Sequence, residues 1–377
     1  MTQMKTRSTW LSAAACCLAV ACSTESAIPP DAMPVLAPEL GTGDRTPSSV
    51  TLVEIAGAGD LAQPRDLAFN PLRPAELWVV THDNDAAAII HDAPEPTRRL
   101  ELRQDGYALH FMPEPSAIAF GADATTIGKP GTFATCGESR NTYNGQADAN
   151  DFMGPALWSS DLSVFAQHDP NGLGSHLDML HCSPLCMGLA HEADNIYWAF
   201  GGTWNGIVKY DFESDDGIGN DNHGDGTAFV YASGELFYVA GVPSHLTYDA
   251  VDRMLYIADT GHRRVVRLDT QSGTVGAQLT PFEPMGAYRR IDDAVLSEVV
   301  PASAGLDTPS GLELRNDILY VSDYATGRIS AFSRTGELLN QLDTGLGRGA
   351  LAGMAFGPDG KLYFVDMAGD RVFRIDP

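Results

Sequence analysis

The densest group of metal-binding residue types in the chain lies between residues 175 and 192. This stretch contains three histidines, two cysteines and two carboxylates, namely His176, Asp178, His181, Cys182, Cys186, His191 and Glu192. Imidazole and thiolate groups are ligands that suit zinc, copper and iron. The stretch therefore predicts a transition-metal site, with zinc or copper as the expected ion.

The cysteines of this stretch have a second interpretation. Cys136 lies at the start of a long insertion, and a disulfide from Cys136 to either Cys182 or Cys186 would tie that insertion down. Disulfides persist in oxidising compartments. The sequence leaves the metal site and the disulfide open as alternatives, and it does not choose between the two pairings.

The insertion that begins at Cys136 is long and polar, and it interrupts a predicted sheet. Long loops on a rigid scaffold often carry function. Glu138 and Arg140 are therefore candidates for binding an anionic or amide ligand. The alternative is that these side chains only form internal ion pairs.

A second candidate metal site is the acidic loop over residues 211–226. Oxygen donors and glycines are concentrated there, and calcium prefers six to eight oxygen ligands. The predicted calcium ligands are Asp211, Asp215, Asp221 and Asp225. Their spacing is not that of an EF-hand, so a solvated acidic loop is the alternative.

Composition and charge exclude some classes of function. The 377 residues include 49 acidic and 24 basic side chains, for a formal net charge of −25. A surface this acidic repels phosphate backbones and anionic lipids, so we expect no nucleic-acid partner. Glycine and proline are abundant, at 38 and 23 residues, and charged residues make up only 19 %. This composition favours turn-rich β structure.

The first residues are typical of a secretory leader. Lys5 and Arg7 precede a short apolar stretch that ends at Ala21, followed by Cys22. Small residues before a cysteine resemble a bacterial lipobox, although Ala19 stands where leucine is usual. We therefore expect a signal peptide over residues 1–22, lipid on Cys22, and a cell-envelope lipoprotein on the outer membrane or cell surface; ordinary secretion is the alternative. Membrane contact would be through the lipid alone.

Proline-rich residues 23–48 predict a flexible tether between the leader and a folded domain at 49–377. Within that domain a repeat unit begins near residues 243, 309 and 351, and degenerate copies begin near 64, 115 and 185. Each unit reads as short alternating strands separated by glycine-containing turns. Self-similarity of this period indicates a radial or solenoid array.

These repeats resemble the NHL repeat family, most strongly over residues 243–375. The resemblance implies an all-β fold, a six-bladed β-propeller. A lone strand, Val50–Ile55, precedes the first unit, and the last unit lacks an outer strand. Pairing Val50–Ile55 with Arg371–Ile375 would close the ring and hide both edges.

A more distant, fold-level resemblance is to the peptidylglycine amidating lyases, whose propellers hold a metal through histidines of several blades near the axis. From that family only His245 is carried over, as a candidate ligand, and no catalytic base is assigned. The positions of the other candidates in a propeller add three histidines, so the predicted ligands of an axial metal are His82, His176, His191 and His245. Glu138 and Arg140 are expected on the same face. The Pro-His order of that family is not kept, because Ser244 separates Pro243 from His245.

Two functions follow from these patterns. The first is a metal-dependent propeller enzyme, a lyase or hydrolase in which the metal polarises an oxygen or activates water. The second is a non-enzymatic scaffold that binds a small molecule, peptide or protein at one face. The sequence does not decide whether there is turnover, and we expect a monomer.

Overall fold

The structure, a computed structural model, describes residues 36–121, 131–142 and 148–377. Strands dominate these residues, and helix is confined to short turns. The one α-helix among them is α1 (Ala108–Phe111), and the 3-10 helices are Pro38–Leu40, Pro47–Ser49, His82–Asn84 and Ala302–Ala304.

The first half of the described chain forms β1 and the first three blades. The strands are β1 (Thr51–Ala56), β2 (Pro64–Phe69), β3 (Leu77–Thr81), β4 (Ala86–His91), β5 (Arg99–Arg103), β6 (Pro115–Phe120), β7 (Thr132–Gly137), β8 (Ala156–Ser159), β9 (Asp178–Met179), β10 (Cys186–Ala193), β11 (Ile196–Gly201), β12 (Gly206–Asp211) and β13 (Thr227–Tyr231).

The second half forms the remaining three blades and a hairpin, β17–β18, that joins the sheet of blade 3. The strands are β14 (Leu246–Asp249), β15 (Met254–Asp259), β16 (Arg264–Asp269), β17 (Thr274–Gln278), β18 (Ala287–Asp292), β19 (Leu296–Val300), β20 (Pro309–Arg315), β21 (Ile318–Asp323), β22 (Arg328–Ser333), β23 (Leu338–Asp343), β24 (Leu351–Phe356), β25 (Leu362–Asp366) and β26 (Arg371–Asp376).

Six small sheets form a ring, and each begins with one predicted repeat unit. The innermost strands are β2, β6, β10, β14, β20 and β24, and each is followed outward by the next strands of its unit. Apolar side chains fill the space between neighbouring blades; Trp78, Trp198 and Tyr256 are fully buried there. The six-bladed β-propeller predicted from the repeats is confirmed.

Strand β1 closes the ring as the sequence predicted. It is the outermost strand of the sixth sheet and pairs antiparallel with β26, with Leu52 opposite Ile375 and Glu54 opposite Phe373. The outer edge of the last blade is thereby covered by the start of the propeller.

Blade 3 contains a hairpin that the sequence did not predict. Strands β17 and β18 lie in the chain between β16 and β19 of blade 4, but β18 pairs in parallel with β13 of blade 3. The hairpin covers the edge that β13 would otherwise leave open. Its tip, residues 279–286, reaches toward blade 2 and contributes to the site described below.

The segment expected to be a tether is in part packed on the ring. Within the described residues, Ala37 and Leu40 are buried in a cluster that includes Leu342 and Ile375. The Asn340 side-chain amide also donates a hydrogen bond of 3.0 Å to the Ala37 carbonyl. The tether assigned to residues 23–48 is therefore corrected from Ala37 onward, because apolar contacts outweigh the proline-rich composition; residues 23–35 lie outside the described part.

Candidate functional site

A disulfide joins blades 2 and 3 beside the candidate site. It links Cys136 at the end of β7 to Cys186 at the start of β10, with a sequence separation of 50 residues. Cys182 is free and buried. Burial raises the pKa of the Cys182 thiol well above its usual range, so this sulfur stays protonated at neutral pH.

The central feature of the site is a histidine between two buried carboxylates. Nδ1 of His223 lies 3.0 Å from Oδ1 of Asp178 and 2.9 Å from Oδ2 of Asp216. One ligand atom from each residue lies within 4.8 Å of the others. In the part of the chain that the structure describes, this is the only group of three or more His, Cys, Asp or Glu side chains arranged to hold a metal.

Two elements supply the three side chains. Asp178 begins β9, the outer strand of blade 2, and its Oδ1 also accepts the Met179 amide at 2.7 Å. Asp216 and His223 come from the loop between β12 and β13 of blade 3. This loop is held against blade 2 by backbone hydrogen bonds, including one of 3.0 Å from the Asp216 amide to the Leu177 carbonyl.

Burial and like charge shift the pKa values of the two carboxyls upward. Burial raises the pKa of Asp178 to about 6, against the opposing hydrogen bond from His223. Burial and the neighbouring Asp178 raise the pKa of Asp216 to about 7. Burial disfavours the charged imidazole, but the hydrogen bond to Asp178 and the surrounding carboxylates outweigh it, so the pKa of His223 is raised.

Two further histidines lie close to this group, each stacked on a phenylalanine. The ring of His176 stacks on Phe111 at 3.6 Å, and the ring of His181 stacks on Phe152 at 3.5 Å. Their ring centres lie 6.3 and 5.9 Å from that of His223. Burial lowers the pKa of His176 to about 4 and lowers that of His181, so both rings are neutral at pH 7.

His181 is held by the tip of the extra hairpin. Its Nδ1 donates a hydrogen bond to the Glu283 carboxylate, which fixes the ring and leaves the lone pair on Nε2. Nε2 is buried and has no hydrogen-bond partner among the described residues. The same is true of Oδ2 of Asp178. Buried polar atoms are usually satisfied, so two unsatisfied atoms here mark the site as unusual.

The donor set fits a transition metal better than calcium. Two carboxylates and an imidazole are a zinc-type ligand set, whereas calcium prefers oxygen ligands alone. Ligand atoms around a tetrahedral zinc lie about 3.3 Å apart, given bond lengths of about 2.0–2.1 Å. The present separations of 2.9 and 3.0 Å are close to this value, and the unsatisfied Oδ2 of Asp178 supplies a free acceptor.

A pocket of about 320 Å³ has His181 in its wall, and the ring centre of His181 lies 5.9 Å from that of His223. Aromatic and polar residues from blades 2 and 3 line it, chiefly Trp204, Phe282, Tyr288, Thr203 and Asp151. Phe282 is exposed for a large apolar side chain, at 59 %. Volume and lining are those of a site for a small organic molecule.

The four histidines predicted as axial ligands do not form one group: His191 and His245 line a cavity at the centre of the ring, whereas His82 lines a different pocket. His82 lies on the 3-10 helix after β3 and pairs with Asp83 at 2.7 Å. His191 Nε2 bonds the Asp194 carbonyl at 3.0 Å, and His245 Nε2 bonds the Ser116 carbonyl at 3.1 Å. Only His176 lies near the metal-capable group. Each of the other three has a local polar partner.

Glu138 and Arg140 are also engaged internally, with different partners. Glu138 Oε2 pairs with Arg65 at 2.5 Å, and its Oε1 accepts the Gly241 amide at 2.7 Å. Arg140 pairs with Asp151 at 2.6 Å on the surface. Glu138 therefore fixes the insertion to neighbouring blades and offers no free oxygen to a ligand.

None of the four carboxylates predicted for calcium belongs to the metal-capable group. Asp211 Oδ1 accepts the Glu213 amide at 2.9 Å, Asp225 Oδ2 accepts the Ser214 amide at 3.4 Å, and Asp221 is exposed. The same loop instead contributes Asp216 and His223, which the sequence reasoning missed. His223 is the only nitrogen ligand in that acidic loop, and that was the available signal.

The predicted lipidation residue Cys22 lies outside the described residues. Within the described part of the chain no helix is long and apolar enough to cross a membrane.

Comparisons with known proteins find likeness in structure only. No protein-family model matches the chain, and no curated protein matches it in sequence. A solved structure from Bacteroides ovatus, described as an auxiliary nutrient binding protein, has a TM-score of 0.54 and 12 % identity, covering 87 % of this chain and 76 % of that chain.

Two other solved structures are also similar to this chain. A Bacteroides thetaiotaomicron protein of unknown function has a TM-score of 0.56 and 9 % identity, covering 87 % of this chain and 76 % of that chain. A streptogramin B lyase has a TM-score of 0.49 and 11 % identity, covering 87 % and 97 %. At these identities the two structures with TM-scores above 0.5 show a likeness of fold alone, which agrees with the six-bladed β-propeller described above.

Proposed function

We propose that the protein is a cell-envelope β-propeller that binds a transition-metal ion, zinc in the first place, between blades 2 and 3. The observation that carries the proposal is the buried His223 imidazole between Asp178 and Asp216. At neutral pH the three side chains share a proton. A divalent cation bound in its place would neutralise the negative charge of the two carboxylates more fully. The nitrogen donor selects zinc over calcium.

The neighbouring pocket supports metal-dependent chemistry on a small molecule. Zinc with three protein ligands keeps a position for water or substrate and acts as a Lewis acid, as in lyases and hydrolases. His181 would serve beside it as a proton acceptor, because Glu283 holds the proton on Nδ1 and leaves Nε2 basic. The aromatic wall of Trp204 and Tyr288 would exclude water from a bound molecule.

The test is metal content and affinity in the purified protein. After loading with zinc and dialysis, we expect about one zinc per chain by elemental mass spectrometry. The variants His223→Gln and Asp216→Asn should lose it. The matched control is His262→Gln in blade 4, where His262 Nδ1 lies 2.9 Å from one carboxylate, that of Asp259, instead of two. Equal zinc content in His223→Gln and wild type would contradict the proposal, as would calcium retained in place of zinc; retained copper would contradict the choice of zinc.

A second candidate function is ligand binding without turnover, with the metal in a structural role. The side chains of Asp178 and His223 are 0 % and 5 % exposed, which is typical of a closed structural site. The structural likeness to Bacteroides nutrient binding proteins is compatible with this role. Chelation distinguishes the candidates: a structural metal changes the melting temperature, whereas a catalytic metal changes turnover with a smaller effect on melting.

The location in the cell envelope is part of the proposal. It is supported by the leader-like residues 1–22 and the lipobox-like sequence at Cys22. A Cys22→Ser form should move from the membrane fraction to the soluble fraction. Continued membrane association of that form would exclude Cys22 as the anchor.

A further inference from the structure

A second cavity lies at the centre of the ring. Its volume is about 400 Å³, and the innermost strands of all six blades bound it. It shares no lining residue with the pocket beside His181. A ligand bound in this cavity would therefore not contact the residues of the other pocket.

One position of the innermost strands can be compared from blade to blade, because strand register fixes it. The residue pairs at this position are Ala68–Trp78, Ala119–Ala134, Ala190–Trp198, Thr247–Tyr256, Glu313–Tyr320 and Ala355–Tyr363. Four blades have alanine here and one has threonine. Only blade 5 places a carboxylate, Glu313, in this otherwise small and uncharged ring, and all six residues line the cavity.

The next position along each strand gives the cavity aromatic walls. The lining residues there are Phe69, Phe120, His191, Tyr248, Leu314 and Phe356. One of the rings already holds a cation, because the Arg315 guanidinium lies 4.3 Å from the centre of Phe356. Aromatic faces attract organic cations, and aromatic walls with a carboxylate are the chemistry that recognises ammonium groups.

Most of the other charged groups at the cavity have protein partners. Asp66 accepts the amides of Leu67 and Ile118 at 2.8 and 3.0 Å. Arg315 donates to the Gly360 carbonyl at 2.8 Å. Glu313 forms no ion pair with any described residue. Burial and the nearby Asp66 raise the pKa of Glu313 to about 8, against the smaller opposing effects of the Leu314 amide and the Arg315 guanidinium.

We infer that the axial cavity binds a small organic ammonium ion, with Glu313 as its counter-ion and Phe69, Phe120 and Tyr248 as its walls. The net charge of −25 favours the approach of a cation over an anion. A protonated or quaternary amine satisfies Glu313 and is smaller than the cavity. This assignment does not depend on the metal site.

The experiment measures binding of choline, butylamine and the uncharged choline isostere 3,3-dimethylbutan-1-ol by calorimetry at about pH 8.5, above the pKa of free Glu313. We expect choline or butylamine to bind, and the neutral isostere to bind at least tenfold more weakly. Glu313→Gln should weaken ammonium binding at least tenfold, because it keeps the shape and removes the charge. Glu313→Ala introduces the residue found in four of the other five blades and should have the same effect.

Two controls make the result decisive. Glu337→Gln removes an exposed carboxylate of the same blade and should leave binding unchanged, and melting curves verify that each variant is folded. Equal affinity for choline and its isostere would overturn the inference. So would failure of both ammonium probes at millimolar concentration, or binding unaffected by Glu313→Gln. Retention of binding after zinc removal separates this site from the metal site.

Discussion

Blades 4 to 6 and blades 2 and 3 use buried acidic side chains differently. In the regular blades, the second strand ends in an aspartate whose oxygens accept hydrogen bonds from backbone amides or cationic side chains; these residues are Asp259, Asp323 and Asp366. For example, Asp323 accepts hydrogen bonds from four backbone amides. In the irregular pair, Asp178 keeps an oxygen without a partner and lies beside a second buried carboxylate. The equivalent strand end of blade 2 carries Cys136, which forms the disulfide.

This difference teaches where to look for function in a repeat protein. A polar residue that recurs in each regular unit and has all its hydrogen bonds is part of the scaffold. Buried polar groups without hydrogen-bond partners destabilise a fold, so their presence indicates a functional role at that place. Blades 2 and 3 lack the repeated aspartate, are joined by a disulfide, and place three histidines around two carboxylates.

The largest expected effect is on the covalent link of the irregular blades. The double variant Cys136→Ala and Cys186→Ala removes a disulfide with a sequence separation of 50 residues. Chain entropy predicts a loss of about 4 kcal/mol in the free energy of unfolding, measured by denaturant titration. Cys182→Ala, which removes a buried thiol that forms no disulfide, is the control. A loss no larger than in the control would show that blades 2 and 3 are held by packing alone.

The N-terminal segment provides the next largest effect. Leu40→Ala removes a fully buried side chain that packs on blades 5 and 6, and should cost about 3 kcal/mol. Leu36→Ala, at 54 % exposure for the native side chain, is the matched control and should be nearly neutral. Equal stability of the two variants would indicate that residues 36–48 act as a tether and do not stabilise the propeller.

A pair of aspartate substitutions tests the comparison directly. Asp323→Asn replaces one acceptor oxygen by an amide donor that faces backbone N–H groups, so it should cost about 2 kcal/mol.

Asp178→Asn is its counterpart and should change the stability of metal-free protein by less than about 1 kcal/mol. Asparagine keeps the oxygen that accepts the Met179 amide, and it removes the repulsion with Asp216. Both variants are compared by denaturant unfolding in the presence of a chelator. Comparable losses in the two would mean that Asp178 is as structural as Asp323.

The smallest effect concerns Glu313, the one irregular residue of a regular blade. Its pKa is raised from 4.5 to about 8 in the folded protein. Between these values the folded state binds a proton that the unfolded state has lost, so stability falls as pH rises through this window. Glu313→Gln should therefore be more stable than wild type at about pH 9, by about 1 kcal/mol, with no advantage at about pH 4. Parallel melting curves at all pH values would contradict the shift.

The repeats allowed most of the fold to be predicted. Strand alternation and the recurring turns are local signals, and they located all six blades and the closing strand. The hairpin β17–β18 was missed because its partner β13 belongs to another blade, and no local pattern encodes that pairing. The packing of Leu40 was missed for the same reason, since its contacts with Leu342 and Ile375 are distant in sequence.

The candidate site was predicted only in part. The histidine-rich stretch and the acidic loop were both identified, but they were assigned to separate metals. The structure joins them through Asp178 from the first and His223 from the second. Expectations for His82, His191 and His245 relied on where their strands would lie in a propeller, and each of these rings has a local hydrogen-bond partner that the sequence does not reveal.

The pairing of β1 with β26 has a consequence for how the chain folds during synthesis. These strands are almost the first and the last elements of the described chain, so their contact carries a high loop-closure entropy and should form late. Until β26 leaves the ribosome, β1 has no partner and exposes an edge that invites association with other chains. A polypeptide that stops before Arg371 cannot close the ring, so truncated products should aggregate or be degraded. Chains that include β26 should become resistant to proteolysis when the ring closes.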